Sequence, residues 1–242
     1  MKKIFFIFLA AAAGIAIFLG AALFFITAEW KEFPDYCPNS PLAHAVYDND
    51  LNTLAELLKN QKTLKSINTP DACGNPPLDV AIQQGNIEIV KELLSANAEV
   101  NLVYGQNKIT PLHAAAGWNG NNKEELNIIE ILLQAGATIE VADAYGFTPL
   151  HEAASNADSG KIKLLLEYGA NPNAQTTRRR TPLHLAAQMV GSREGPAAIG
   201  LLISNGADTR VKDENGELAL DIATRNLTPQ TDAKAAIKLL TP

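Results

Sequence analysis

The chain has 242 residues, 47% of them hydrophobic and 19% charged, which is too apolar for a disordered protein and ordinary for a globular one. Lys2 and Lys3 open the chain, and every acidic residue lies from Glu29 onward. Past the two lysines, 18 basic residues stand against 26 acidic ones; this net of −8 repels phosphate backbones and argues against nucleic acid as a partner.

The first element runs from Ile4 to Ala28 without a charge. As a helix its 25 residues rise about 37 Å, more than the roughly 30 Å of a bilayer core, so it can span a membrane with some tilt. It shows no polar face of the kind a soluble helix needs. Two fates fit it. A cleaved signal peptide has an apolar stretch of about 7–15 residues before small residues at the cut, and Ile26-Thr27-Ala28 would be an imperfect site of that kind. The greater length favours a retained anchor. In both cases the preceding lysines keep the N-terminus in the cytoplasm and send the rest across. The lysine start and short chain look bacterial, which places the body in the periplasm. Residues 29–39 read as a linker.

From Ser40 the chain repeats itself. Thr110-Pro111-Leu112-His113-Ala114-Ala115 returns as Thr148-Pro149-Leu150-His151-Glu152-Ala153 and as Thr181-Pro182-Leu183-His184-Leu185-Ala186. Weaker copies begin at Ser40, Pro76 and Leu218, so the starts at 40, 76, 110, 148, 181 and 218 are 33 to 38 residues apart. Each of the first five is followed by a second block, such as Leu132-Leu133-Gln134-Ala135-Gly136-Ala137 or Leu165-Leu166-Glu167-Tyr168-Gly169-Ala170. Proline suits the first turn of a helix because its missing N–H has no intrahelical partner there. The Leu and Ala that follow share one helical face. Gly136, Gly169 and Gly206 supply the positive φ that ends the second helix, with Asn97 in the same slot of the second copy.

These blocks resemble the ankyrin repeat, and six in-register copies carry the resemblance over residues 40–242. It implies an all-α solenoid of helix–turn–helix units joined by β-hairpin loops, with five full repeats and a closing helix pair. Such units stack to share one elongated core.

The copies differ in length. The third gains five residues near Asn119–Glu124 and the fifth four near Gly191–Pro196, both between helices, while the first is enlarged around Gln61–Thr69. Insertions of this kind are either contact elements or tolerated surface loops. By resemblance, partners contact the hairpin tips and the open side of the first helices. That carries onto Gln106, Asn107, Ile109, Tyr145, Phe147, Arg178 and Arg180 on hairpins. On first helices it carries onto Gln83, Gln84, Trp118, Ser155, Asn156, Gln188 and Met189. Aromatic and arginine side chains are common interface anchors; packing against the neighbouring repeat is the alternative for Phe147 and Trp118. Arg178-Arg179-Arg180 is either a solvated tip or a contact for an acidic partner or lipid headgroup. Arg179 stands where the hairpin glycine belongs, which leaves the geometry of that turn open.

His113, His151 and His184 share one slot, where the family's imidazole bonds locally to backbone. Equivalent slots lie roughly 8–10 Å apart, too far for neighbouring imidazoles to share a zinc at about 2.0–2.1 Å. No phosphate loop, nucleophile elbow or zincin motif is present. No enzymatic activity, cofactor, metal or small-molecule substrate is expected.

Cys37 and Cys73 each lie four residues before a repeat's proline, on adjacent hairpins. An even count in an exported protein suggests a disulfide. Regular stacking would hold their Cα atoms about 10 Å apart, beyond the roughly 4.4–6.8 Å a bridge accepts, but Cys37 has no earlier repeat fixing it and can bend inward. Bridged and free states both stay open.

The expected function is binding of another protein by a module anchored on the periplasmic side of the inner membrane, or free in the periplasm after cleavage. Two alternatives are an immunity protein neutralising a secreted toxin and a protective factor supporting a periplasmic enzyme.

Overall fold

The chain divides into residues 1–37 and 38–242. The computed structural model describes residues 40–118, 123–226 and 234–241. The expected anchor at 1–28, the linker at 29–39 and most of the insertion after Trp118 lie outside the described residues. Among those described, no helix is long and apolar enough to cross a membrane.

Six short first helices follow the repeat starts, each followed by a second helix. The first repeat gives α1 (Pro41–Tyr47) and α2 (Leu51–Leu58), with a single extra turn, α3 (Gln61–Leu64), where its excess length was placed. Next come α4 (Pro77–Gln83) with α5 (Ile87–Ser95), α6 (Pro111–Gly117) with α7 (Lys123–Gln134), and α8 (Pro149–Ser155) with α9 (Ser159–Glu167). The last two pairs are α10 (Pro182–Gln188) with α11 (Gly195–Ser204), and α12 (Ala219–Arg225) with α13 (Lys234–Leu240).

Proline opens five of the six first helices, as the sequence requires. Asp50, Asn86 and Asp158 cap α2, α5 and α9 by accepting the N–H three residues on. The second helices of repeats two to five end at Asn97, Gly136, Gly169 and Gly206, all with positive φ. First helices pack on neighbouring first helices and second on second. Leu42, Leu78, Leu112, Leu150 and Leu183 are buried at one recurring position, and Ala45, Ala81, Ala115, Ala153 and Ala186 let the backbones approach at another. Burying each such leucine contributes roughly 1.5–3 kcal/mol, and a lone helix pair has nothing to bury it against.

The expected β-hairpins are reduced to tight turns. Among the described residues the only strand-like pairings are single bridges, Tyr104 with Ile109 and Lys212 with Leu218. A carboxylate holds most of the turns instead. Asp71, Asp143 and Asp213 each accept from two backbone N–H groups of their own turn at 2.7–3.1 Å.

Candidate partner-binding surface

The surface begins with the histidine slot, because it fixes each turn to the repeat before it. Thr148 donates its N–H to His151 Nδ1 at 3.1 Å, with its hydroxyl 2.9 Å from the same nitrogen. The other ring nitrogen lies 3.1 Å from the Arg180 carbonyl, one turn ahead. A carbonyl only accepts, so Nε2 carries the proton and Nδ1 is the acceptor. His113 reaches the Phe147 carbonyl and His184 the Glu217 carbonyl in the same way. Burial lowers all three imidazoles, His151 to about 4. Each ring is therefore committed to a joint between repeats. Among the described residues no cluster of His, Cys, Asp or Glu is placed to hold a metal.

The second repeat closes its joint with different atoms. Asp79 stands in the histidine slot and accepts from the Tyr104 hydroxyl at 2.5 Å and from Gln83 Nε2 at 2.7 Å. Burial raises both the Asp79 carboxyl and the Tyr104 phenol. The first repeat uses Tyr47, whose hydroxyl donates to Asp71 at 2.7 Å.

Backbone bonds then join the turns in a row. The carbonyls of Asn107, Tyr145 and Arg178 each accept from the next turn, from Ala144, Thr177 and Glu214, at 2.8–3.0 Å. Three residues singled out in the sequence thus fall at one register on three successive tips. Asn107 and Arg178 are exposed, and Tyr145 is 56% exposed. Gln106, on the same turn as Asn107, is also exposed.

The other candidates on the turns, Phe147, Ile109 and Arg180, make contacts within the scaffold. Phe147 is half-buried against the core, its ring 5.6 Å from that of His151. Ile109 is half-buried in the Tyr104 bridge. Arg180 is half-buried and donates to Asp213 at 3.3 Å, while Arg178 pairs with Glu214 at 3.5 Å. Arg179 keeps the turn intact by adopting φ 56°, the conformation that Gly146 and Gly216 take in the same slot.

On the first helices, Gln83, Gln84 and Gln188 are exposed, and Ser155, Asn156, Met189 and Trp118 are half-buried. Gln84 and Asn156 occupy one register and clasp the repeat before, donating to the carbonyls of Tyr47 and Gly117 at 3.0 and 2.8 Å. Ser155 bonds the Glu152 carbonyl of its own helix, and Met189 packs on the core. Trp118 lies over Gly85, where an added Cβ would come within 2.8 Å of the ring. For Phe147 and Trp118, packing is the meaning the structure supports. Cys73 sits exposed on its tip and is disulfide-bonded; Cys37 lies outside the described residues.

Two features escaped sequence reading. Lys161 on α9 is fully buried, its ammonium 2.6 Å from Glu125 on α7 and bonded to the Trp118 carbonyl. Its signal was a lysine three residues after the cap Asp158, where Ile89 follows Asn86. Glu152 on α8 is half-buried, and its carboxyl is raised by burial and by the charge of Asp143. Its signal was an acid at a slot that holds His44, Val80, Ala114, Leu185 and Ile222 in the other copies.

A stack of helix pairs with one row of exposed tips is the architecture of a repeat solenoid. Residues 7–104 and 99–176 match the family model for three copies of the ankyrin repeat, and residues 178–214 match the single-repeat model. The chain belongs to the ankyrin-repeat family, whose repeats mediate binding to other proteins and in general do not catalyse reactions. Similar proteins include the E3 ubiquitin-protein ligase KEG of Arabidopsis thaliana, 32% identical over 46% of this chain and 7% of its own length. An ankyrin repeat protein of Rickettsia bellii is 38% identical over 38% of each chain. Another, from fowlpox virus, is 38% identical over 33% of this chain and 16% of its own. The chain thus spans well under half the length of each of these relatives.

Proposed function

We propose that this protein captures a protein partner on the tips around Asn107, Tyr145 and Arg178, and does so from the periplasmic side of the inner membrane. The observation that carries the binding site is the tip row. Its backbone is fixed by bonds from turn to turn, so the tips are displayed on a rigid support and need little backbone ordering on binding. Tyrosine and arginine are the residue types that most often anchor an interface. Two observations support the location: the uncharged residues 4–28 behind Lys2 and Lys3, and the disulfide-bonded state of Cys73, which suits an oxidising compartment. With only two cysteines in the chain, Cys37 is the proposed other half of that bridge.

The test is affinity capture from solubilised membranes with a C-terminal tag. Tyr145→Ala combined with Arg178→Ala is expected to lose the captured partner while the melting temperature stays nearly unchanged. A partner retained in full by the double variant removes this surface. A toxin as the captured protein selects the immunity role, and a periplasmic enzyme selects the protective one. Exposure of the body to protease in spheroplasts, but not in cells with an intact outer membrane, tests the location.

A further inference from the structure

Nearly every buried or half-buried acid among the described residues is matched by a donor from the protein. Glu125 has Lys161, Asp213 has Arg180 and its turn, and Asp79 has Tyr104 and Gln83. Asp71 and Asp143 have turn N–H groups, Asp158 caps α9, and Asp208 and Glu217 pair with Arg210 and Arg225. Glu152 is the exception: among the described residues no hydrogen bond or cation reaches its carboxylate, and the neighbouring charge that acts on it is the negative one of Asp143. It lies over Gly117, where an added Cβ would come within 3.3 Å of its Oε2. At that register the other copies carry the larger Tyr47, Gln83, Ser155, Gln188 and Arg225. The missing side chain makes the space that Glu152 fills.

We propose that Glu152 receives a lysine or arginine side chain from the partner, on the first-helix face where it lies beside Gly117, between the third and fourth repeats. The proposal rests on the protein-binding reading and adds the chemistry of the bound segment. A half-withdrawn carboxylate that no protein donor occupies keeps its oxygens open to an incoming cation, with which it forms a charge-assisted pair. Leu185 and Ile222 in the same slot show that the scaffold accepts an apolar side chain there. The net charge of −6 steers basic segments toward the protein.

The test uses the full-length chain in detergent, held by a C-terminal tag, and a displayed library of random twelve-residue peptides. The wild type is expected to enrich peptides with Lys or Arg at one fixed position. Glu152→Gln should lower the affinity of the best peptide at least tenfold, and replacing the peptide's basic residue by norleucine should do the same. The two changes together should add little more. Glu152→Leu should melt no lower than wild type, which separates lost binding from lost folding. Peptides that need Tyr145 and Arg178 but bind Glu152→Gln as tightly as wild type overturn this proposal and leave the binding surface standing. Failure of the wild type to enrich any peptide overturns both.

Discussion

Lys161 offers the sharpest test of the packing. Its side chain is 1% exposed and that of Glu125 3%, with 2.6 Å between the charges. Replacing Lys161 by Met keeps the volume and takes away the ammonium that faces the buried Glu125 carboxylate and the Trp118 carbonyl. Breaking one half of such a pair costs about 3–5 kcal/mol, whereas replacing both halves by apolar residues is often neutral or stabilising. Lys161→Met alone should therefore lose about 4 kcal/mol, and Lys161→Met with Glu125→Leu should recover most of it. Urea denaturation of wild type, both single variants and the double variant gives the coupling as a double-mutant cycle. For a slope near 3 kcal/mol per molar urea, the single variant should unfold roughly 1–1.5 M earlier. A shift under about 0.2 M, with additive effects in the cycle, would refute the buried pair and with it the packing of α7 against α9.

Acid should weaken the stack at the three histidine joints. The folded values are lowered, so these joints contribute stability that is complete above about pH 6.5, the ordinary histidine value, and is lost as pH falls through the folded values. His151, held at about 4, contributes about 3 kcal/mol; melting temperature should fall between pH 6.5 and 4, and His151→Gln should flatten the profile. Arg179→Gly should raise thermal stability by up to about 1 kcal/mol, because the residue already sits at φ 56°; a lower melting temperature would count against that assignment. Gly146→Ala should do the opposite, since its Cβ would lie 2.8 Å from the Thr177 nitrogen. Gly85→Ala should push Trp118 off its seat and redden its fluorescence, measured with Trp30→Phe to leave one indole; an unchanged spectrum would show that the ring does not rest there.

The periodic apolar positions made the scaffold legible from sequence. Leucine after proline, small alanines and a terminal glycine encode contacts that recur in every copy, so their meaning survives without coordinates. The histidine slot, whose backbone bond the family resemblance implies, is legible for the same reason. The surface was harder to read, because a tip residue can point outward or back into its own joint. Phe147 and Tyr145 are two residues apart on one turn, yet only Tyr145 projects. The resemblance implies partner contacts for Gln84 and Asn156, and in the structure their amides clasp the preceding repeat. Lys161 and Glu125 come from different repeats of different length, and no local pattern announces their pairing.

The joints between copies are keyed, and this restricts how the modules could be reordered. A histidine joint offers a proton to a bare carbonyl, so any following turn of that shape accepts it. Asp79 offers only lone pairs and has to be followed by a turn that brings its own hydroxyl, as Tyr104 does. Grafting the second copy ahead of the fourth would set the Asp79 carboxylate against the Phe147 carbonyl, two acceptors face to face. The copies look alike as text, yet the second fits only in front of the third.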